Sequence, residues 1–460
     1  MDKSVLRKVA YRLNKELNGD VRGFIFVVCL KYLRVHGFED KVEWLEKICD
    51  VQGSSFEEVL DDGIDAEFES VNAIGWLYQY FIAGEKERVF ADLMKGIKVR
   101  DEDVPFATQL FTPDWIVRFL VENSLGRIVE EKELEEISFI DPCQGTGNIL
   151  LYAFDFLYER YREAGFCRED AVYHILTKNL FGVDIDEEVC LITKLVLLLK
   201  AEIFDSSILE KMHIVCIPNE FGSLIRNSEE EILQRQYDVV CTNPPYMGKK
   251  NINQNLSEFL KREYPDTKSE LYAAFMERCL EFTKPSGYLA MITIHSWMFI
   301  SSFTKLRKKI LDSGTMLKML HTGAATFDDL SSFNVLATSL VFKKEKLGGE
   351  KSLFIRLADY YRTQEKIENL DNPENFYWID QREFLEIPNY PFIYWISESL
   401  RNCFYQNRRL DEFYLARQGL ATGDNKEFVR FWYEVPFEEI GQGFRSTEEF
   451  LRSRKSVCTL

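Results

Sequence analysis

The sequence predicts an α/β fold: a mostly parallel sheet with helices on both faces, preceded by a helical N-terminal domain. Three observations predict it. Short apolar or β-branched runs at 137–140, 180–184, 213–217, 237–242, 288–293, 317–321 and 335–342 alternate with helical stretches, and that alternation is the mark of parallel strands joined through helices. Acidic or turn-forming residues follow several of these runs, at the strand ends where open α/β sheets bind ligands. Before residue 105 the pattern is helical periodicity alone.

The elements follow in order. Val5, Val9, Leu13 and Leu17 fall at a spacing near four, on one face of a first helix. Residues 24–36 continue as an apolar helix that Gly37 should stop. An acidic stretch spans 57–69, and the dense aromatic segment 73–81 reads as helix core. The sheet region runs from 105 to 345. The charged, glycine-containing stretch 343–349 looks like a boundary, and 346–460 is aromatic and charged with a weaker pattern. The expected domains are therefore 1–104, 105–345 and 346–460. There are no internal repeats.

Composition excludes several classes. The chain has 460 residues, 57 Lys+Arg against 75 Asp+Glu and a net charge of −18, with 46% apolar residues. That is a globular composition, and its acidity disfavours indiscriminate coating of nucleic acid or anionic lipid. Charge is uneven, however. Residues 1–35 hold eight basic against three acidic residues, and 244–318 hold 12 against seven, so a local basic stripe beside a cleft is expected. The run Lys305–Lys309 is either a solvated helix face or a phosphate contact. Ten cysteines, none in a C-x-x-C, read as reduced thiols, and five histidines without ligand spacing give no metal site. His295 and His321 read as hydrogen-bonded structure at strand ends. No stretch is long enough to span a bilayer, and the N-terminus lacks signal-peptide shape. A cytoplasmic chain is expected.

Three motifs carry chemistry. The first is Asp141-Pro142-Cys143-Gln144-Gly145-Thr146-Gly147, after the first sheet strand and before a helix. Glycines there admit close backbone approach. An acid where a phosphate would sit favours a ligand with a positive amino group. The second is Gly182-Val183-Asp184-Ile185-Asp186, at the end of the next strand. Asp184 is placed to hold ribose hydroxyls, while Asp186 is either a second contact or a helix N-cap. The third is Asn243-Pro244-Pro245-Tyr246 after an apolar strand. Two prolines stiffen the strand exit. The loop presents an amide oxygen, a proline carbonyl and an aromatic ring, an apparatus for gripping a planar NH2.

Together these segments resemble the amino-group DNA methyltransferases that use S-adenosylmethionine. Phe111-Thr112-Pro113, with the helix that follows, is similar to that group's loop over the methionine part. Segments 74–80, 108–118, 123–127, 243–248, 290–293 with His295, Trp297 and Met298, and 419–425 are more specifically similar to the PglX methyltransferases of the BREX phage-defence system. The resemblance runs from about residue 1 to about residue 435.

The resemblance implies a Rossmann-like S-adenosylmethionine-dependent methyltransferase sheet and methylation of adenine N6 in double-stranded DNA. Asn243, Pro244, Pro245 and Tyr246 would be catalytic. Phe111, Thr112, Pro113, Asp141, Pro142, Gly145, Gly147, Asp184, Ile185 and Asn219 would bind the cofactor, with Pro218 and Glu220 as neighbours of its adenine. Tyr246 and Phe327 would stack on the flipped base, with Phe333 as runner-up. The alternatives are a methyltransferase for another planar NH2 (cytosine N4 or protein glutamine), or a subunit that binds cofactor and partners without methylating. Two departures stand out. The family's usual D-P-A-C-G-S-G has Cys and Gln at 143 and 144 here. Family members are also typically more than twice as long. Residues 346–460 would thus be a linker and the truncated start of a target-recognition region, completed by a separate chain or other BREX proteins.

Overall fold

The computed structural model describes residues 2–52, 64–327 and 335–408, together with 412–413, 429–430, 434 and 458–459. Phe333, the segment 419–425 and most of the acidic run after residue 57 lie outside the described residues. The chain divides into two units, Met1–Arg401 and Asn402–Leu460. Of the second, the helix Glu398–Gln406 that runs into it and a parallel pairing of Val429–Arg430 with Cys458–Thr459 are described.

Unit one is built on a nine-stranded sheet. Its strands are β1 (Phe139–Asp141), β2 (Leu180–Asp184), β3 (His213–Cys216), β4 (Tyr237–Thr242), β5 (Thr283–Ile294), β6 (Thr315–Gly323), β7 (Ala337–Lys343), β8 (Ser352–Arg356) and β9 (Phe376–Ile379). All seven expected strands form, β5 and β6 running longer than the apolar cores that announced them. Their spatial order is β3-β2-β1-β4-β5-β7-β6-β8-β9. β3 through β5 are parallel, and β7 runs antiparallel between β5 and β6. The order reverses direction between β1 and β4. In doubly wound sheets that reversal opens a crevice at the carboxyl ends of the two strands.

Strands β8 and β9 were not expected. The glycine-containing stretch before them reads as a boundary, yet it is only a turn. Ser352, Leu353, Phe354 and Ile355 are buried, and β8 pairs in parallel with β6. Packing is likewise continuous at the N-terminal side. The helix Lys3–Glu16 buries Leu6, Val9, Ala10 and Leu13, so its buried face is turned slightly from the one that Val5 suggested. The helix Val21–Val35 is almost wholly buried and ends before Gly37, whose φ of 77° is open to glycine. These helices share one apolar core with the helices Asp114–Ile128, Asn148–Glu163 and Glu187–Ala201 that cover the sheet. No helix among the described residues is long and apolar enough to cross a membrane.

Candidate active site

The crevice at β1 and β4 holds a cavity, about 940 Å³ when the space open to solvent is counted. Three strand ends and two loops converge on it. Asp141 ends β1, Asp184 ends β2 and Asn243 follows β4. The loop 108–112 and the segment 220–223 close the sides, and Leu271 and Phe275 supply an apolar wall.

The first motif folds as its composition requires. The Asp141 carboxylate accepts from Cys143 N (3.0 Å) and Thr242 Oγ1 (2.7 Å). Gly145 has φ 53° and Gly147 φ 83°, so the chain can turn back into the helix Asn148–Glu163. A Cβ at Gly147 would lie 2.8 Å from Thr193 Cγ2. Gln144, one of the family departures, fits because β2 has a glycine beside it: a Cβ at Gly182 would overlap Gln144 Oε1.

Asp184 accepts from Gly145 N (2.9 Å), Ile185 N (2.8 Å) and Asp186 N (3.2 Å). It thereby ties the first motif to the second. Asp186 is the N-cap of the helix Glu187–Ala201, accepting from Glu188 N and Val189 N, so the capping alternative describes it.

Burial raises both acids. Asp141 is pushed up to about 7, opposed by Thr242 and Cys143 and assisted by the nearby Asp184 charge. Asp184 is pushed up to about 6, opposed by Gly145 and assisted by Asp186. In the ligand-free chain these groups favour folding below the ordinary carboxyl range. That contribution is lost as pH rises through about 6 and about 7. A cationic ligand has the opposite sign, because it needs the ionised carboxylates. Affinity for such a ligand is therefore expected to rise as pH increases through 6 to 7 and to level above, with proton release on binding at pH 6. Calorimetry in buffers of different ionisation enthalpy measures this. A flat profile between pH 5 and 8 would show that neither acid meets a positive group.

Asn243 is held by its amide nitrogen. Nδ2 donates to Leu110 O (3.0 Å) and Thr112 Oγ1 (3.1 Å), which binds the N-P-P-Y loop to the 108–112 loop. Its Oδ1 is buried with no hydrogen-bond partner, on a residue that lines the cavity. A buried acceptor left unmade costs roughly 1–3 kcal/mol, and a planar NH2 would relieve it.

The other candidates divide. Phe111, Thr112, Pro142, Gly145, Ile185 and Pro245 line the cavity with the residues above, whereas Pro113, Gly147, Asn219, Pro244, Tyr246 and Phe327 do not. Pro113 and Gly147 are the residues from which helices start. The Asn219 side-chain Oδ1 is spent on Phe221 N and Gly222 N, and Glu220, held by Asn253, faces the cavity with Phe221 instead.

Tyr246 is half-buried and donates to Ile292 O (3.2 Å). Phe327 is 4% exposed, and the two rings meet at 66° with centroids 6.2 Å apart. That is an edge-to-face core contact and not a pair of parallel walls.

Two expectations about charge and histidine resolve. In the run 305–309, Lys305 pairs with Asp266, Lys308 with Asp312 and Lys309 with Glu277, while Arg307 is buried. Lys284 and Arg278 are likewise paired, with Asp238 and Glu281. Much of the anticipated basic stripe is thus neutralised within the fold. Lys249 and Lys250, directly after the N-P-P-Y loop, are exposed. His295 and His321 form a hydrogen-bonded pair (2.8 Å) backed by Tyr394 (2.9 Å). Burial, helped by His295 and Arg356, lowers His321 to about 3.

Sequence reasoning missed Thr242, Ser223 and Gln79. Ser223 Oγ donates to Pro142 O (2.6 Å) and lines the cavity. Gln79 comes from the helix Asn72–Phe81, whose Gly75 abuts Thr146 and whose Trp76 ring lies 3.9 Å from that of Phe111. The aromatic density of that helix hid its second use.

The sheet and its strand-end cavity define the class: this is the fold of an S-adenosylmethionine-dependent methyltransferase. Within that class, residues 178–327 match the family of Eco57I restriction-modification methylases. The chain is a relative of the PglX methyltransferases, as its motifs suggested. It is 30% identical to the adenine-specific methyltransferase PglX of Lacticaseibacillus casei (strain Zhang), over 87% of this chain and 43% of that protein. It is 29% identical to the adenine-specific methyltransferase BrxX of Escherichia coli O9:H4 (strain HS), over 84% of this chain and 42% of that one. The chain therefore spans less than half the length of these curated relatives. Among solved structures, a DrdV–DNA complex superposes with a TM-score of 0.50 at 16% identity, covering 86% of this chain and 45% of that one.

Proposed function

We propose that this chain carries the catalytic part of a site-specific DNA adenine-N6 methyltransferase of the PglX kind, serving a BREX phage-defence system with S-adenosylmethionine as cofactor. The observation that carries the reading is the orphaned Asn243 Oδ1, fixed beside a cavity lined by two buried acids. The residues present suit the cofactor. Asp141 is an acid for its amino group, Asp184 reaches the ribose side, and Phe111 and Thr112 cover the methionine part. When bound, the cofactor supplies a methyl group activated on a sulfonium.

The chain's residues do the rest by placement. N6 of adenine is conjugated into its ring and a poor nucleophile, and the base must first leave the stack at a cost of a few kcal/mol. Asn243 Oδ1 and the Pro244 carbonyl accept the two N6 hydrogens. That shifts the nitrogen toward tetrahedral geometry and aims its lone pair at the methyl carbon. The new N–C bond would take its methyl carbon from the cofactor held by Asp141, Asp184, Phe111 and Thr112, with the C–S electron pair kept on sulfur as a thioether. N6 then passes one proton to solvent water, which leaves the methylated amine neutral. Proximity and fixed dipoles supply the rate. Tyr246 stacks on the flipped ring once its present edge contact opens. Double-stranded DNA is the partner, with Lys249 and Lys250 beside the loop as phosphate contacts. With β8 and β9 in the sheet, residues 402–460 are the part read as belonging to target recognition.

Methylation-sensitive sequencing of DNA from cells expressing this chain, alone and with the remainder of a full-length relative, tests the proposal. N6-methyladenine at one recurring sequence is expected. Its absence from both, or methyl groups on cytosine, would overturn the reading.

A further inference from the structure

The cavity lining is one-sided in charge. Asp141, Asp184, Asp186 and Glu220 line it, and no Lys, Arg or His does among the described residues. The amino-acid end of the proposed cofactor is a zwitterion. Its ammonium suits these acids, but its carboxylate does not, and none of the sequence motifs supplies a cationic partner for it. An anion in such a cavity needs a fixed N–H donor and a counter-charge behind that donor.

One side chain offers both. Gln79 is buried, lines the cavity and comes from the N-terminal helix Asn72–Phe81. Its Oε1 accepts from Lys86 Nζ (2.6 Å), and Lys86 also donates to Gln109 O (3.0 Å). Lys86 cannot donate to an amide NH2, so this bond fixes the amide with its nitrogen turned away from the lysine. That nitrogen has no acceptor among the described residues. The ammonium behind the carbonyl polarises the amide and strengthens its N–H groups as donors. The helix itself is locked to the cofactor loops. A Cβ at Gly75 would lie 2.9 Å from Thr146 Oγ1, Trp76 packs on Phe111, and Tyr78 Oη donates to Asp186 Oδ2 (3.4 Å).

We propose that Gln79, oriented and polarised by Lys86, is the receptor for the carboxylate of the cofactor's amino-acid end. This rests on the cofactor reading above. The helical N-terminal region is then part of the binding site and not only a support for it.

The test is calorimetry on the full chain with two ligands. S-adenosylhomocysteine has the amino-acid end, and 5′-methylthioadenosine lacks it. Gln79→Ala is expected to weaken S-adenosylhomocysteine about ten- to hundredfold, the range for losing a hydrogen bond to a charged group. It should leave 5′-methylthioadenosine within about twofold, the scatter of near-neutral changes. Gln79→Met fills the same space without N–H groups and should behave as the Ala variant does, with an unchanged melting temperature. Equal losses for both ligands, or none for either, would overturn the assignment while leaving the cofactor reading intact. If the unmodified chain bound neither ligand, the cofactor reading itself would fall, and this assignment with it.

Discussion

Asn243→Ala is expected to lower methyl transfer to DNA by at least roughly 10²–10³-fold, the range seen when one fixed polar group is removed from a preorganised site. The reason lies in how the side chain is held. Two acceptors, Leu110 O and Thr112 Oγ1, fix the amide nitrogen. Turning the amide over would set its oxygen against a carbonyl, so Oδ1 keeps its place beside the cavity. Gln109 Oε1 and Gln144 Oε1, which line the same cavity, are also buried without a donor, but among the described residues Asn243 Oδ1 is the one such acceptor at the end of β4. Cofactor affinity should stay within about threefold, because the acids proposed to meet the cofactor lie on β1 and β2. The expected result is thus a loss in the rate of the bound complex, read as kcat with saturating cofactor. Asn243→Asp keeps an oxygen but loses the hydrogen bond to Leu110 O and sets a negative charge against that carbonyl, so it should not restore activity. Normal methylation by Asn243→Ala would remove this residue from the chemistry.

The largest stability effect is expected at Arg307. Its side chain is fully buried. Nη1 donates to Trp297 O (2.6 Å) and Ile300 O (2.8 Å), and Nε and Nη2 both donate to Asn389 O (3.0 and 2.7 Å). Asn389 and Tyr390 have φ of 68° and 55°, so the guanidinium pins a turn that non-glycine residues adopt reluctantly. Burial without a carboxylate partner lowers its pKa to about 10, so it stays charged at neutral pH. Arg307→Ala would leave these carbonyls without donors and open a cavity, at a cost of about 3–5 kcal/mol. Arg307→Lys keeps the charge but has one nitrogen for carbonyls on separate segments, and should recover less than half. The check is the denaturant midpoint of each variant. Unchanged stability together with weaker DNA binding would return Arg307 to the surface role that its basic neighbours suggested.

That residue shows where sequence reading stopped. Lys305–Lys309 is a run of charge in a helix, and nothing local separates a phosphate contact from a helix that spends its charges at home. The partners Asp266, Glu277 and Asn389 are tens of residues away. The strands were legible for the opposite reason. A buried strand is a short apolar run, and all seven runs formed strands. β8 and β9 escaped because the glycine-rich turn before them looks like a linker when its tertiary neighbours are unknown. Phe327 was legible as an aromatic near the last expected strand, but its edge-on contact with Tyr246 depends on how two distant loops meet.

The sequence by itself determined the chemistry on offer. Strand-end acids, turn glycines and the N-P-P-Y loop are local features, and each dictates its own turn and its own polar groups. Tertiary structure decided which of those groups are left to act. Folding buried Asp141 and Asp184 together and raised both. It spent Asn219 and Asp186 on backbone N–H groups. It also brought Gln79 from the first hundred residues to line the cavity. Burial and partner choice are sums over contacts distant in the chain, and no local pattern carries them.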